Sequence, residues 1–204
     1  MPELTLAQTM YWLGLAAVAS LASAAVTEAK RKRYDLFGVV VLAVCAALGG
    51  GSLRDFLLDR PVFWIQDQTY LMAAVIAALL TFFFVRRREP PTAFFLMTDA
   101  LGLALFTVVG TRIALDLDTA WLPASFLGVV TGVVGGILRD VLCNEEPLVF
   151  QGPLYATAAW AGALTYVGLI SLGASGEIAA LCAGTLILAL RWAAVRWSWR
   201  LPSF

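Results

Sequence analysis

A chain of 204 residues that is 61% apolar and only 14% charged lies outside the range of soluble domains, which are nearer half apolar and a quarter charged. Its 14 basic and 14 acidic side chains cancel, so no net basic field invites nucleic acid. Histidine is absent, which removes the commonest general base and the commonest metal ligand.

A bilayer core about 30 Å thick takes roughly 20 apolar residues in a helix, and seven such segments are predicted. The first covers residues 4–27. Its stretch 19–24 looks cleavable, but no basic region precedes it, so the segment reads as a span. The second covers 36–53 and ends in Gly49-Gly50-Gly51, followed by Ser52. The third covers 70–85, and the fourth covers 93–113 and carries Asp99. The fifth covers 121–138, with Thr131 and Gly135-Gly136 near its end. The sixth covers 154–172, and the last 178–197. Short connections imply one all-α membrane domain over 1–204. Tyr11, Trp12, Trp64, Trp121, Trp192, Trp197 and Trp199 fit interfacial belts. Cys45, Cys143 and Cys182 are isolated and read as small apolar residues or loop thiols.

Orientation follows from Lys and Arg. Lys30-Arg31-Lys32-Arg33 separates spans one and two, and Arg86-Arg87-Arg88 separates three and four. Arg191, Arg196 and Arg200 mark the far end. Connections two and four are poorer in positive charge and carry Asp59, Asp67, Asp116 and Asp118. The expected arrangement is a multi-pass protein of the cell (inner) membrane, with the N-terminus outside and the C-terminus cytoplasmic.

The heptad GGGSLRD at 49–55 nearly recurs as VGGILRD at 134–140. At that offset of 85, Arg54-Asp55 aligns with Arg139-Asp140, Gly50-Gly51 with Gly135-Gly136, Leu57 with Leu142 and Tyr70 with Tyr155. Each copy holds three spans, so the second is expected upside down: repeat one about 4–85, repeat two about 93–172, and a final helix about 178–197.

The glycines admit two readings. They break the helix and present carbonyls to a cation along an ion or solute path, or they let helices pack closely. The two Arg-Asp pairs also admit two readings: a structural ion network, or the lining or gate of a vestibule. Neighbouring residues point about 100° apart on a helix, so Arg54 and Arg139 are each expected to reach an acid of the other repeat. Asp99 is an intramembrane charge, a type that is rare and often functional, and it aligns with Gly14. Thr107, Thr111, Ser125 and Thr131 could supply pore hydroxyls or bond their own backbone. No catalytic constellation appears, so no enzyme is expected.

In the stretches DLFG (35–38), GGGSLRDFL (49–57), DALGLALF (99–106) with Gly110, TGVVGGILRDVL (131–142) and LYATA (154–158), the chain resembles the bacterial branch of the trimeric intracellular cation (TRIC) channel family. The repeat of that family is also known as a glycine transporter domain. The resemblance spans about 15–172. It implies seven transmembrane helices and a homotrimer with one pore per subunit, lined by kinked second and fifth spans. It further implies conduction of monovalent cations, chiefly potassium. The family often has a threonine three residues before the glycine run. Thr131 keeps it, whereas the first copy has Ala46. The lipid-linked Lys-Glu-Val motif of animal members is not evident. No cofactor is implied beyond permeant potassium or sodium and bound lipid.

The expected pathway residues are thus Gly49, Gly50, Gly51, Ser52, Asp99, Thr131, Gly135 and Gly136. Arg54, Asp55, Arg139 and Asp140 are the expected gating or structural ion network. The alternative is a secondary carrier for glycine or another small neutral amino acid, with a half-helix N-terminus facing the substrate carboxylate.

Overall fold

The computed structural model describes residues 6–87, 90–151 and 154–200. The helices in chain order are α1 (Leu6–Arg31), α2 (Leu36–Leu57), α3 (Phe63–Gln66), α4 (Thr69–Arg86), α5 (Thr92–Asp116), α6 (Trp121–Leu142), α7 (Leu148–Gln151), α8 (Ala156–Ser171) and α9 (Gly176–Trp197). Each predicted segment has a helix over most of its described residues; positions 4 and 5 of the first, and Arg88 of the basic run before the fourth, lie outside the described residues. Among the described residues, α1, α2, α4, α5, α6 and α9 are long and apolar enough to cross a membrane.

The helix α8 is shorter than its predicted segment. Its 16 residues extend about 24 Å at 1.5 Å per residue, less than a bilayer core. Its first turn is pre-empted by the end of α9. The Leu154 N–H donates to the Trp199 carbonyl at 3.0 Å, and the Leu154 carbonyl accepts from Arg191 Nη1 at 3.0 Å. With both backbone groups satisfied there, a helical start at Leu154 has nothing to gain.

Helix boundaries repeat at the offset of 85. The helix α2 maps onto α6, and α3 onto α7, end for end. Both α1/α5 and α4/α8 also end 85 residues apart. The residues that close helices in the left-handed region repeat too: Arg33 (φ 58°) with Asp118 (φ 56°), and Asp59 (φ 49°) with Asn144 (φ 52°). Asp and Asn tolerate that region better than most residues. Packing partners repeat in the same way. The contacts α1–α2, α1–α4 and α2–α4 have counterparts in α5–α6, α5–α8 and α6–α8, while α1–α5 and α2–α6 join the halves. The helix α9 packs on α5 and α8.

Small side chains hold both halves together, as expected where lipid offers no hydrophobic contrast. In the first half Ala22, Ala25, Ala43, Ala46 and Ala47 are buried. In the second, threonines seat in glycine notches of the facing helix. Thr111 lies against Gly128, Thr107 against Gly132 and Thr131 against Gly110.

Of the two readings of the glycines, the close approach is the one seen here, and the helix break is not. Both α2 and α6 run without interruption through Gly49–Gly51 and Gly135–Gly136. The energetics explain why. A helical glycine costs about 1 kcal/mol relative to alanine, but each backbone group left unpaired in lipid costs several kcal/mol. The ladder is kept, and the missing side chains serve a close approach instead.

Candidate functional site

The helices α2 and α6 meet at the glycines. A Cβ on Gly50 would run into the Thr131 carbonyl, and a Cβ on Gly135 into the Ala46 carbonyl. Gly50 and Gly135 are 85 residues apart, as are Ala46 and Thr131, so the crossing is one contact made twice. The position where the family often carries threonine therefore acts here through its backbone. Gly49 lies against Leu138, Gly51 against the Phe63 ring, and Gly136 against the Tyr155 hydroxyl.

A buried charge cluster flanks the crossing at each end. Arg54, Asp55, Asp99, Arg139, Asp140 and Arg191 are each at most 3% exposed. At one end Arg54 Nε donates to Asp55 Oδ1 at 2.9 Å, and Arg54 Nη2 lies 2.7 Å from the same oxygen. Asp55 Oδ2 accepts the Phe63 N–H at 2.9 Å, which fixes the start of α3. Arg60 approaches Asp55 at 3.5 Å. The Arg54 guanidinium stands 5.5 Å over the Phe63 ring.

The other end repeats this core and adds to it. Arg139 Nε donates to Asp140 Oδ1 at 2.8 Å, and Asp140 Oδ2 accepts the Leu148 N–H at 3.0 Å, fixing the start of α7. Arg139 also donates through Nη1 to Asp99 Oδ1 at 2.5 Å. The Tyr155 hydroxyl donates to that same oxygen at 3.2 Å. The guanidinium of Arg139 stands 4.7 Å over Phe95, and that of Arg191 4.5 Å over Tyr155. In the first half Gly14 takes the place of Asp99, and the Tyr70 ring and hydroxyl lie against it.

These partners correct the expected cross-repeat pairing. Each arginine folds back onto the aspartate that follows it. Backbone direction separates neighbours by about 100°, but an arginine side chain is long enough to close that angle and leave a fork free for a second acid. Among the described residues, no half-helix opens directly after either glycine run. The segment after each glycine run continues the same helix, and Asp55 and Asp140 each hold one N–H at the openings of α3 and α7, those of Phe63 and Leu148.

The candidate hydroxyls are engaged locally except that of Thr107, which is buried without a hydrogen-bond partner among the described residues. Ser52 donates to the Leu48 carbonyl at 2.8 Å and accepts the Trp64 indole N–H at 2.9 Å. Thr131 donates to Leu127 at 2.6 Å, Thr111 to Thr107 at 2.8 Å and Ser125 to Leu122 at 2.7 Å. Sequence reasoning missed Tyr155, Arg191, Phe63 and Phe95. Only Tyr155 carried a signal, its alignment with Tyr70.

Outside the spans, a latch joins the α1–α2 turn to the end of α6. Lys32 Nζ lies 2.6 Å from Glu145, and the Tyr34 hydroxyl donates to the Leu142 carbonyl at 2.8 Å. The hydrogen bond between them, with its charge, raises the Lys32 ammonium pKa and lowers that of the Glu145 carboxyl.

A family model described as a glycine transporter matches the chain twice, over residues 11–86 and 96–171. The UPF0126 inner membrane protein YadS of Escherichia coli K12 is 39% identical over 198 residues, 96% of each chain. The TRIC trimeric intracellular cation channel orthologue from Rhodobacter sphaeroides superposes with a TM-score of 0.89 at 34% identity, covering 93% of this chain and 98% of that one. The chain belongs to the bacterial TRIC family. A prokaryotic TRIC channel crystallised in 0.5 M KCl gives a TM-score of 0.88 at 25% identity, over 96% of this chain and 100% of that one. The two family-model matches begin and end 85 residues apart, the offset at which the charge clusters repeat. Like its bacterial TRIC relatives, the chain is a multi-pass membrane protein.

Proposed function

We propose that this protein is a homotrimeric cation channel of the bacterial inner membrane, preferring potassium, with one pore in each protomer. On this reading α1–α4 and α5–α8 are two three-span repeats of opposite orientation, α7 and α8 together complete the sixth crossing, and α9 is the seventh span. The N-terminus lies outside and the C-terminus in the cytoplasm, following the basic residues. The ion path runs beside the α2–α6 crossing, and small separations of these helices open it. Asp99 supplies the attraction for cations at one mouth. Its pairing with Arg139 keeps that attraction weak enough for an ion to leave, as conduction requires.

One observation carries the reading: a glycine-on-carbonyl crossing made twice, with a buried charge cluster at each end, in a chain of the same fold as proteins described as cation channels. The carrier alternative is less favoured, since Asp55 and Asp140 already hold the Phe63 and Leu148 N–H groups, at the openings of α3 and α7, that a substrate carboxylate would compete for.

Purified protein in planar bilayers under a potassium gradient tests this. The expected result is discrete unitary currents reversing near the potassium equilibrium potential, with altered conductance or open probability in Asp99→Asn at unchanged oligomer size. Silent bilayers together with saturable glycine exchange in liposomes would replace the channel with a carrier.

A further inference from the structure

A groove of about 700 Å³ lies between the first half of α5 and the last half of α9. Met97 and Leu101 form one wall, and Leu188, Trp192 and Val195 the other. Met97 and Trp192 are 72% and 65% exposed, so the groove faces outward from the protomer. From Leu188 to Arg196 the α9 wall runs about 12 Å at 1.5 Å per residue. That length suits a stretch of acyl chain.

The charges of this groove have one sign. Arg191 and Arg196 line it, and no acid does. Arg191 is buried and faces Tyr155 and the Leu154 carbonyl, whereas Arg196 is exposed in the last turn of α9. Arg86 ends α4 just before α5 begins, so the same end of the bundle carries further positive charge. Trp192 lies on the α9 wall one helical turn before Arg196, a position that suits an amphipathic ring at the headgroup level.

We infer that this groove is a binding site for an anionic phospholipid, one acyl chain lying along α5 and α9 with the phosphate against Arg196. Basic pockets between transmembrane helices recognise such headgroups. A phospholipid brings its negative charge at the boundary where Arg196 already stands. The seat shares Arg191 with the Asp99–Arg139–Tyr155 cluster, so the lipid would brace α9 behind that cluster.

Native mass spectrometry of delipidated protein, offered equal phosphatidylglycerol and phosphatidylcholine, tests the site without reference to conduction. The wild-type chain is expected to retain phosphatidylglycerol and release phosphatidylcholine. Arg196→Gln, an exposed change, is expected to weaken retention about fivefold, the effect of one arginine near an anionic headgroup. Ala100→Trp, which fills the groove from α5, is expected to abolish it at an unchanged melting temperature. Equal retention of both lipids, or full retention by Arg196→Gln, would overturn the site. So would a photo-crosslinker at Met97 that captures another copy of the chain in place of lipid.

Discussion

Asp99 ties α5 to α6 and α8 through a single carboxylate oxygen, shared between Arg139 and Tyr155. Removing this carboxylate leaves Arg139 its Asp140 partner but takes the acceptor from both Arg139 Nη1 and the Tyr155 hydroxyl, each buried donor left unpaired costing about 1–3 kcal/mol. Asp99→Ala should therefore lower the thermal midpoint in detergent severely. Asp99→Asn, which still offers Arg139 a carbonyl oxygen, should lower it less. Equal midpoints for wild type and Asp99→Ala would mean that the brace carries no load. The importance of Asp99 was legible in the sequence, because an acid inside an apolar span needs a reason. Its partners were not. A helical projection shows where side chains leave the backbone, not how far an arginine bends afterwards.

Among helices, the glycines divide by what surrounds them. Alanine gains about 1 kcal/mol over glycine in a helix. Gly168 and Gly184 have nothing within 4 Å of a new Cβ, so Gly168→Ala and Gly184→Ala should raise the melting temperature. Gly50→Ala and Gly135→Ala should lower it, because each new methyl meets a backbone carbonyl that cannot rotate away. A leucine at Gly50 would separate α2 from α6, so lost flux in that variant would report lost packing. The sequence made these glycines conspicuous without separating a break from a close approach, since the distinction lies in what the facing helix presents. The Lys32–Glu145 latch belongs to this scale too. The lowered Glu145 carboxyl contributes stability that is present above its ordinary value of 4.5 and lost as pH falls through its lower folded value. The raised Lys32 contributes below 10.5 and loses that contribution as pH rises through its higher folded value. The melting-temperature difference between wild type and Glu145→Gln should thus hold steady at neutral pH and vanish on strong acidification. A difference that persists in acid would assign the effect to something other than this carboxylate.

At the scale of the whole molecule, helix order and the 85-residue offset were readable because apolar runs and a repeated heptad survive in sequence. The matching left-handed residues and the shortened α8 were not. The first depend on backbone angles, and the second on a tail that returns to Leu154 from 45 residues away. Within their conserved frame the two halves differ in charge. Arg54 and Arg60 face Asp55 alone, whereas Arg139 faces Asp99 and Asp140, with Arg191 nearby. A pore made of two identical inverted halves would pass equal currents at opposite voltages. On the proposed path a cation would meet a surplus of positive charge at one mouth, where two arginines face one aspartate, and a balanced cluster of two arginines and two aspartates at the other, so the current–voltage curve should rectify. Gly14→Asp, which offers Arg54 the acid it lacks, should straighten that curve, and a linear curve in the wild type would show that ions never sense the difference between the two ends.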